Sequence, residues 1–397
     1  MEADSRPKAS GCNWTWVAGG GWTLAPVEPQ LQIRRPPVSF NGTSVGLDVH
    51  ALSVVAHAVD ESDGSTSRAR LCPDHGEILG WLGQLRGPVR VTYEAGPTGF
   101  GLARALADAQ IECVVAAPSK LIRPAGDRIK TDARDAAHLT RLLRLGAITA
   151  VSVPERDVEA VRDLVRARED ARADLMRVRH RLSKLLLRQG RVYSGGQGWT
   201  GLHEIWLRRQ RFDDVHTTSA FEHHFDAVLN ATTARDRLDE QIVAVAASPR
   251  WADAVDRLGC LRGISALTGL ALSVEIGDWS RFTGASIGAY VGLVPTEYSS
   301  GASRVQGAIT KAGNAHVRRL LIEAAWHHRA AYRNPGPTMR ARWVKVDPAL
   351  KARGHAGNRR LHQQWCRFLE RKKNPLVANV AIARELAGWC WSLATLN

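Results

Sequence analysis

Four carboxylates stand where acids need a reason. Asp48 lies inside the apolar run Ser44-Val45-Gly46-Leu47-Asp48-Val49-His50. A carboxylate in an apolar strand costs free energy unless it is paired or holds a cation. Glu94 ends the run Val89-Arg90-Val91-Thr92-Tyr93-Glu94, just before the turn Ala95-Gly96-Pro97. Asp132 and Asp135 sit three apart in Lys130-Thr131-Asp132-Ala133-Arg134-Asp135-Ala136, so on a helix they share a face. Two such acids raise each other's pKa unless positive charge lies between them. Divalent ions (Mg2+, or Mn2+) would relieve that strain and clamp the attacking and leaving oxygens of a phosphoryl transfer. Taken singly, each acid also suits a plainer role: a strand-edge Asp, or a solvated helix face near an N-terminus.

A second group of residues offers a nucleophile. Tyr290-Val291-Gly292-Leu293-Val294-Pro295 is followed by Tyr298-Ser299-Ser300-Gly301, then by Gly307-Ala308-Ile309-Thr310-Lys311-Ala312-Gly313-Asn314. A helix carrying His316, Arg318 and Arg319 comes next. Ser300 precedes a glycine in an expected loop, where its hydroxyl is accessible. A serine becomes nucleophilic beside a base or in a cationic field, and Arg304, Lys311, Arg318 and Arg319 could hold a phosphate for attack. The spacing by itself fits an ordinary Ser-Ser-Gly loop equally well.

The elements that must position these groups alternate in type. Ser44 to His50 predicts a first strand and Leu52 to Val59 its hairpin partner. Glu77 to Leu85 predicts a helix, Val89 to Glu94 a strand, Phe100 to Ala109 a helix, and Glu112 to Ala117 a strand ended by Pro118. This is an α/β pattern, and the early hairpin makes the sheet mixed. From 155 to 190 the pattern changes. Val161, Leu164, Ala171, Leu175, Val178, Leu182 and Leu185 follow a 3-4 spacing broken at Arg168. That seam fits either a dimerising coiled coil or a helical hairpin within one chain. After Gly195-Gly196, residues 219–247 resume a helical pattern that could return antiparallel. Around Gly263-Ile264-Ser265 a tight turn opens another helix, in the manner of half a helix-hairpin-helix element that offers backbone N–H groups to a phosphate. The expected divisions are a poorly ordered leader (1–42), the acid-bearing α/β domain (43–152), a helical coiled-coil-like connector (153–250), a serine-bearing domain (251–335) and a basic Trp/Arg-rich tail (336–397).

Composition narrows the partners. The chain has 397 residues, 54 Lys+Arg against 39 Asp+Glu, and a net charge of +15. Such a surplus favours polyanions, because each cation at a phosphate releases condensed counterions. From Arg329 onward, 14 Lys or Arg residues face only Asp347, Glu370 and Glu385. The six cysteines are far apart and form no CxxC pair, which argues against a zinc ribbon and against a disulfide framework. With no signal-like opening and no membrane-length apolar run, a cytoplasmic protein with no membrane partner is expected.

The motifs resemble those of the DEDD transposases of IS110-type insertion sequences, relatives of the Piv DNA invertases. The resemblance covers about residues 44–330. It rests on Gly46-Leu47-Asp48-Val49, Tyr93-Glu94-Ala95, Lys130-Thr131-Asp132 and Asp135-Ala136 in the first part. In the second it rests on Gly263-Ile264, Glu275-Ile276-Gly277-Asp278, Phe282, Tyr290 to Pro295, Ser299-Ser300-Gly301, Ile309-Thr310-Lys311, Gly313-Asn314 and Arg318-Arg319.

The resemblance implies an N-terminal RuvC-like domain of RNase H fold, coiled-coil-like helices, and a mainly helical C-terminal transposase domain. It implies that Asp48, Glu94, Asp132 and Asp135 bind Mg2+, and that Ser300, or its neighbour Ser299, attacks DNA to give a covalent phosphoserine. It also implies homo-oligomers (dimer or tetramer) with composite sites, and a structured bridge RNA pairing with target and donor DNA. Two other readings remain open: a RuvC-like Mg2+ nuclease whose serine is structural, and a decayed transposase that only binds nucleic acid.

Overall fold

The computed structural model describes Trp14–Val17, Gly21–Leu24 and residues 40–121, 131–300 and 303–396. The chain divides into two units, Met1–Val153 and Pro154–Asn397.

In the first unit, β1 (Trp14–Val17) and β2 (Gly21–Leu24) pair as an antiparallel ribbon within the stretch expected to be poorly ordered. The rest of that leader, up to residue 39, lies outside the described residues. The main elements follow as β3 (Thr43–Val49), β4 (Val54–Asp60), β5 (Thr66–Leu71), α1 (His75–Leu82), β6 (Val89–Glu94), α2 (Gly101–Asp108), β7 (Glu112–Ala116) and α3 (Asp132–Arg144). The five-stranded sheet runs in the order β5-β4-β3-β6-β7. β4 is antiparallel to β3 and to β5, whereas β6 is parallel to β3 and β7 to β6. This mixed sheet is the RNase H-like arrangement.

Alternation along β3 divides the sheet into two chemically different faces. Val45 and Leu47 are fully buried with Ala56, Ala58, Val91 and Tyr93 against Ile78 and Leu82 of α1 and Leu102 and Leu106 of α2. The opposite face carries Ser44, Gly46 and Asp48, and α3 lies across it. Gly46 makes that approach possible: a Cβ there would lie 2.4 Å from the Ala136 carbonyl and 2.5 Å from the Thr140 nitrogen. Thr140 Oγ1 also donates to the His57 carbonyl at 2.9 Å, tying α3 to β4. The start of α3 is set by Thr131, whose side chain accepts from the Arg134 N–H. The sequence did not signal β5; its mostly exposed residues, including Arg68 and Arg70, mark a charged edge strand with no apolar alternation.

The second unit opens with α4 (Arg156–Arg188), α5 (Gly201–Arg208) and α6 (Val215–Ala246). Leu175, Val178, Leu182 and Leu185 pack on Phe221, Phe225 and Val228, while Val165 packs near Ile242 and Ala246. Those pairings make α4 and α6 an antiparallel hairpin that covers the seam from within the same chain. Arg168, which interrupts the seam, pairs with Asp239 of α6, Nε to Oδ1 at 2.5 Å.

Beyond the hairpin come α7 (Ala252–Leu258), α8 (Ala266–Ile276), α9 (Ser286–Tyr290), β8 (Pro295–Ser300), β9 (Ser303–Ile309), α10 (Ala315–Ala325), α11 (Pro337–Trp343), α12 (Pro348–Glu370) and α13 (Pro375–Ala394). The expected boundary at residue 335 falls inside one hydrophobic core. Leu258, Leu261, Ile287, Val291, Val317 and Leu321 pack with Leu361, Trp365, Ile382 and Leu386. Buried Asn358 on α12 fastens the join: its Nδ2 donates to the Cys260 carbonyl at 2.9 Å and its Oδ1 accepts from the Arg262 N–H at 2.9 Å. The basic segment after 335 is thus part of this body rather than an appended tail. Among the described residues, no helix is long and apolar enough to cross a membrane.

Candidate functional site

The acids of the first unit meet on the α3 face of the sheet. Asp48 is the next α3-facing residue after Gly46, and α3 begins with Asp132. The His50 Nε2 lies 3.1 Å from Asp48 Oδ2 and 4.0 Å from Asp132 Oδ1. One ligand atom from each of Asp48, His50 and Asp132 falls within 4.8 Å of the others. The Asp48 side chain is 17% exposed, whereas those of His50 and Asp132 are about half exposed. Burial pushes the Asp48 carboxyl above its ordinary range; His50 pulls it back, and the charges of Asp135 and Asp132 push it further up.

Asp135 therefore acts electrostatically on Asp48 but stands outside the three-residue group. Glu94 also stands outside it. Its strand position is nonetheless adjacent: Leu47 is in register with Tyr93 on parallel β6, so Glu94 follows beside Asp48. Two carboxylates and one imidazole suit a divalent cation, and a carboxyl whose pKa is raised by burial, with Asp135 and Asp132 adding to the rise, gains from one. His50 was not among the candidate ligands read from the sequence. Its signal was the two-residue spacing from Asp48 at the end of the expected strand Ser44 to His50.

The serine segment of the second unit is a β-hairpin and not the expected loop. β8 and β9 pair antiparallel, with Ser299 opposite Arg304 and Ser300 opposite Ser303 at the tip. Gly301 and the Arg304 side chain lie outside the described residues. Ser299 and Ser300 are both exposed, and Ser299 Oγ donates to Glu297 Oε1 at 2.8 Å. At the hairpin base, the Thr310 N–H donates to the Val294 carbonyl at 2.9 Å and the Lys311 N–H to the Gly292 carbonyl at 3.1 Å. Gly313 adopts φ 66°, and a Cβ there would lie 1.9 Å from the Tyr290 carbonyl oxygen.

Of the cations expected to hold phosphate, Lys311 is exposed beside this base. Arg318 and Arg319 have other work. Arg318 Nη1 donates to the Val291 and Ala312 carbonyls at 3.0 and 2.8 Å. Arg319 pairs with Glu323 at 2.6 Å and with Glu169 of α4.

Under the hairpin base lies a buried ion cluster whose roles spacing alone did not reveal. The Glu275 side chain, at the end of α8, is 1% exposed. Arg166 of α4 grips it with both prongs, Nε to Oε1 at 2.8 Å and Nη2 to Oε2 at 3.0 Å. Asn314 Nδ2 donates to Oε2 at 2.7 Å, and His316 Nδ1 stands 3.5 Å from Oε1. Burial alone would raise the Glu275 carboxyl; the nearby His316 imidazole, the hydrogen bonds from Arg166 and Asn314 and the Arg166 charge outweigh it and hold it down at about 2. Asn314 also caps α10 by accepting from the Val317 N–H at 3.0 Å. One carboxylate thus joins α4, α8 and the segment that carries the hairpin into α10.

Comparison with known proteins finds both halves of this pattern. A family model described as the transposase IS116/IS110/IS902 family matches residues 255–343. The IS110-type DEDD transposase model matches residues 45–189. The protein y4qE of Sinorhizobium fredii (strain NBRC 101917 / NGR234), named as a transposase, is 38% identical over 305 residues, covering 76% of this chain and 74% of its own length. The transposase for insertion sequence element IS1533 of Leptospira borgpetersenii is 31% identical over 349 residues, covering 84% of this chain and 98% of its own.

Proposed function

The chain belongs to the IS110-type family of transposases, enzymes that act on DNA, and we propose that it breaks and joins DNA with a metal-binding acid site and a serine nucleophile. The observation that carries this reading is the meeting of Asp48, His50 and Asp132 on the α3 face of an RNase H-like sheet.

In this reading Asp48, Glu94, Asp132 and Asp135 hold divalent metal, Mg2+ or Mn2+. Bound there, the metal supplies a Lewis acid for the phosphoryl oxygens at the scissile bond. Asp48 is steered by the β3 strand and Asp132 by the capped start of α3, so both arrive without a mobile loop between them and the scaffold. Ser300, with Ser299 as the alternative, attacks a DNA phosphorus. Its Oγ–P bond forms as the bond from phosphorus to the leaving sugar oxygen breaks; the serine proton departs to a base and the sugar oxygen leaves as a hydroxyl. Glu297 is placed to accept a proton from Ser299, which supports keeping that alternative. Exposure at the tip of a hairpin supports access of either hydroxyl to a phosphate.

The net charge of +15 supports backbone-led binding of target and donor DNA and of a guide RNA, since base pairing can then carry sequence choice. We assign the working enzyme to a homo-oligomer on the same family reading.

The test is a trapped-adduct assay with purified protein, RNA and divalent metal. Ser300→Ala should abolish the covalent protein–DNA adduct and recombination while Ser299→Ala retains both. The reverse pattern moves the nucleophile to Ser299. Metal-dependent cutting that survives both substitutions would leave a water-using RuvC-like nuclease in place of serine chemistry.

A further inference from the structure

The acid site contains a nitrogen donor that the four-carboxylate assignment does not use. His50 Nε2 is 3.1 Å from Asp48 Oδ2 and 4.0 Å from Asp132 Oδ1. Donors about 2.1 Å from a shared octahedral ion lie about 3.0 Å apart when adjacent and about 4.2 Å apart when opposite. The two measured separations fall at or within that span. Asp48 is the last residue but one of β3, His50 follows directly after the strand, and their side chains meet Asp132 at the first residue of α3. The imidazole is also about half exposed, so it can turn toward an ion without unpacking the sheet.

We propose that His50 is itself a metal ligand, making the centre an Asp48–His50–Asp132 set that takes a first-row transition ion such as Mn2+ in preference to Mg2+. The proposal rests on the reading of the acids as a metal site and deepens it. Mg2+ is satisfied by carboxylates and retains its waters, so an imidazole adds little to its binding. A transition ion gains from the nitrogen, which is the softer donor. Glu94 and Asp135, outside the group of three, then serve a second ion or the second coordination layer.

The experiment uses the full-length protein and Mn2+ alone. Its affinity is measured by the loss of the free-ion electron paramagnetic resonance signal, and its ligands by pulsed measurement of 14N coupling. Mg2+ affinity is read by competition. The wild type should show 14N coupling characteristic of bound imidazole. His50→Ala should abolish it, weaken Mn2+ about tenfold or more, and change Mg2+ less than about threefold. Circular dichroism should show the variant folded.

Mn2+ binding that depends on Asp48 and Asp132 but is indifferent to His50→Ala, or that lacks nitrogen coupling, would overturn the ligand assignment while leaving the acid site standing. Mn2+ binding unchanged in both Asp48→Asn and Asp132→Asn would overturn the acid site itself, and this inference with it.

Discussion

Replacing Glu275 with glutamine tests whether one buried carboxylate holds the serine hairpin's base to the long helices. The substitution keeps the shape and the Asn314 contact but removes the charge that Arg166 grips with two hydrogen bonds. In the folded chain this carboxyl is held at about 2, against an ordinary value of 4.5. At about 1.4 kcal/mol per pKa unit, that difference corresponds to roughly 3 kcal/mol at neutral pH. The range of about 3–5 kcal/mol for breaking a buried ion pair agrees in size.

The folded pKa is depressed, so the stabilisation is fully present above the unfolded value and is lost as pH falls toward the folded one. By linkage, most of this remains at pH 4 and less than half of it, on the order of 1 kcal/mol, at pH 3. Urea unfolding followed by tryptophan fluorescence is the assay, since most of the chain's tryptophans lie in the second unit. At pH 7 Glu275→Gln should be less stable than the wild type by about 2–4 kcal/mol, with the gap about halved at pH 3. Equal stabilities at pH 7, or a gap that does not shrink on acidification, would refute the reasoning.

Gly46→Ala forces α3 away from β3, because its Cβ would meet the Ala136 carbonyl at 2.4 Å; it should cost about 1–3 kcal/mol in thermal unfolding and weaken Mn2+ binding by separating Asp132 from Asp48. A variant with wild-type metal affinity would show that this close approach does not set the site. Gly313→Ala combines φ 66° with a 1.9 Å clash on the Tyr290 carbonyl. It should destabilise by at least about 2 kcal/mol and abolish transposition; unchanged stability would mean the hairpin base relaxes freely. Nucleic-acid affinity should fall by about a thousandfold or more between roughly 50 and 200 mM salt if six or more phosphates are contacted, and a flat response in a binding titration would count against backbone-led binding.

The sequence was most legible where burial enforces alternation. Val45, Leu47, Val91 and Tyr93 announced β3 and β6 to within a residue because one face of each strand is fully buried. An acid at position 48 in such a strand was conspicuous for the same reason. β5 and the β8–β9 hairpin lack that enforcement: their residues are largely exposed, so β5 went unseen and Ser299-Ser300 read as a loop. The spatial relation of Glu94 to Asp48 depends on strand register, which no local pattern states. The segment after 335 misled by composition. Its arginines drew attention away from Leu361, Trp365, Ile382 and Leu386, whose helical spacing places them in the shared core.

Charge carries the same ambiguity one level up. Arg166, Arg168 and Arg319 are each paired with an acid, and Arg318 is bonded to backbone carbonyls. A tally of arginines near a motif therefore overstates how many can meet a phosphate. Net charge escapes that error, because it sets every base against every acid whether or not they pair. The surplus of 15 survives any amount of internal pairing, even where one acid serves two arginines as Glu169 does for Arg172 and Arg319. Lys311 shows where motif and surplus can coincide, since its side chain is exposed at the hairpin base while Arg318 braces that base and Arg319 ties α10 to α4. On the proposed function, the physical division of labour is between arginines that build the platform and exposed cations such as Lys311 that would hold the polyanion on it.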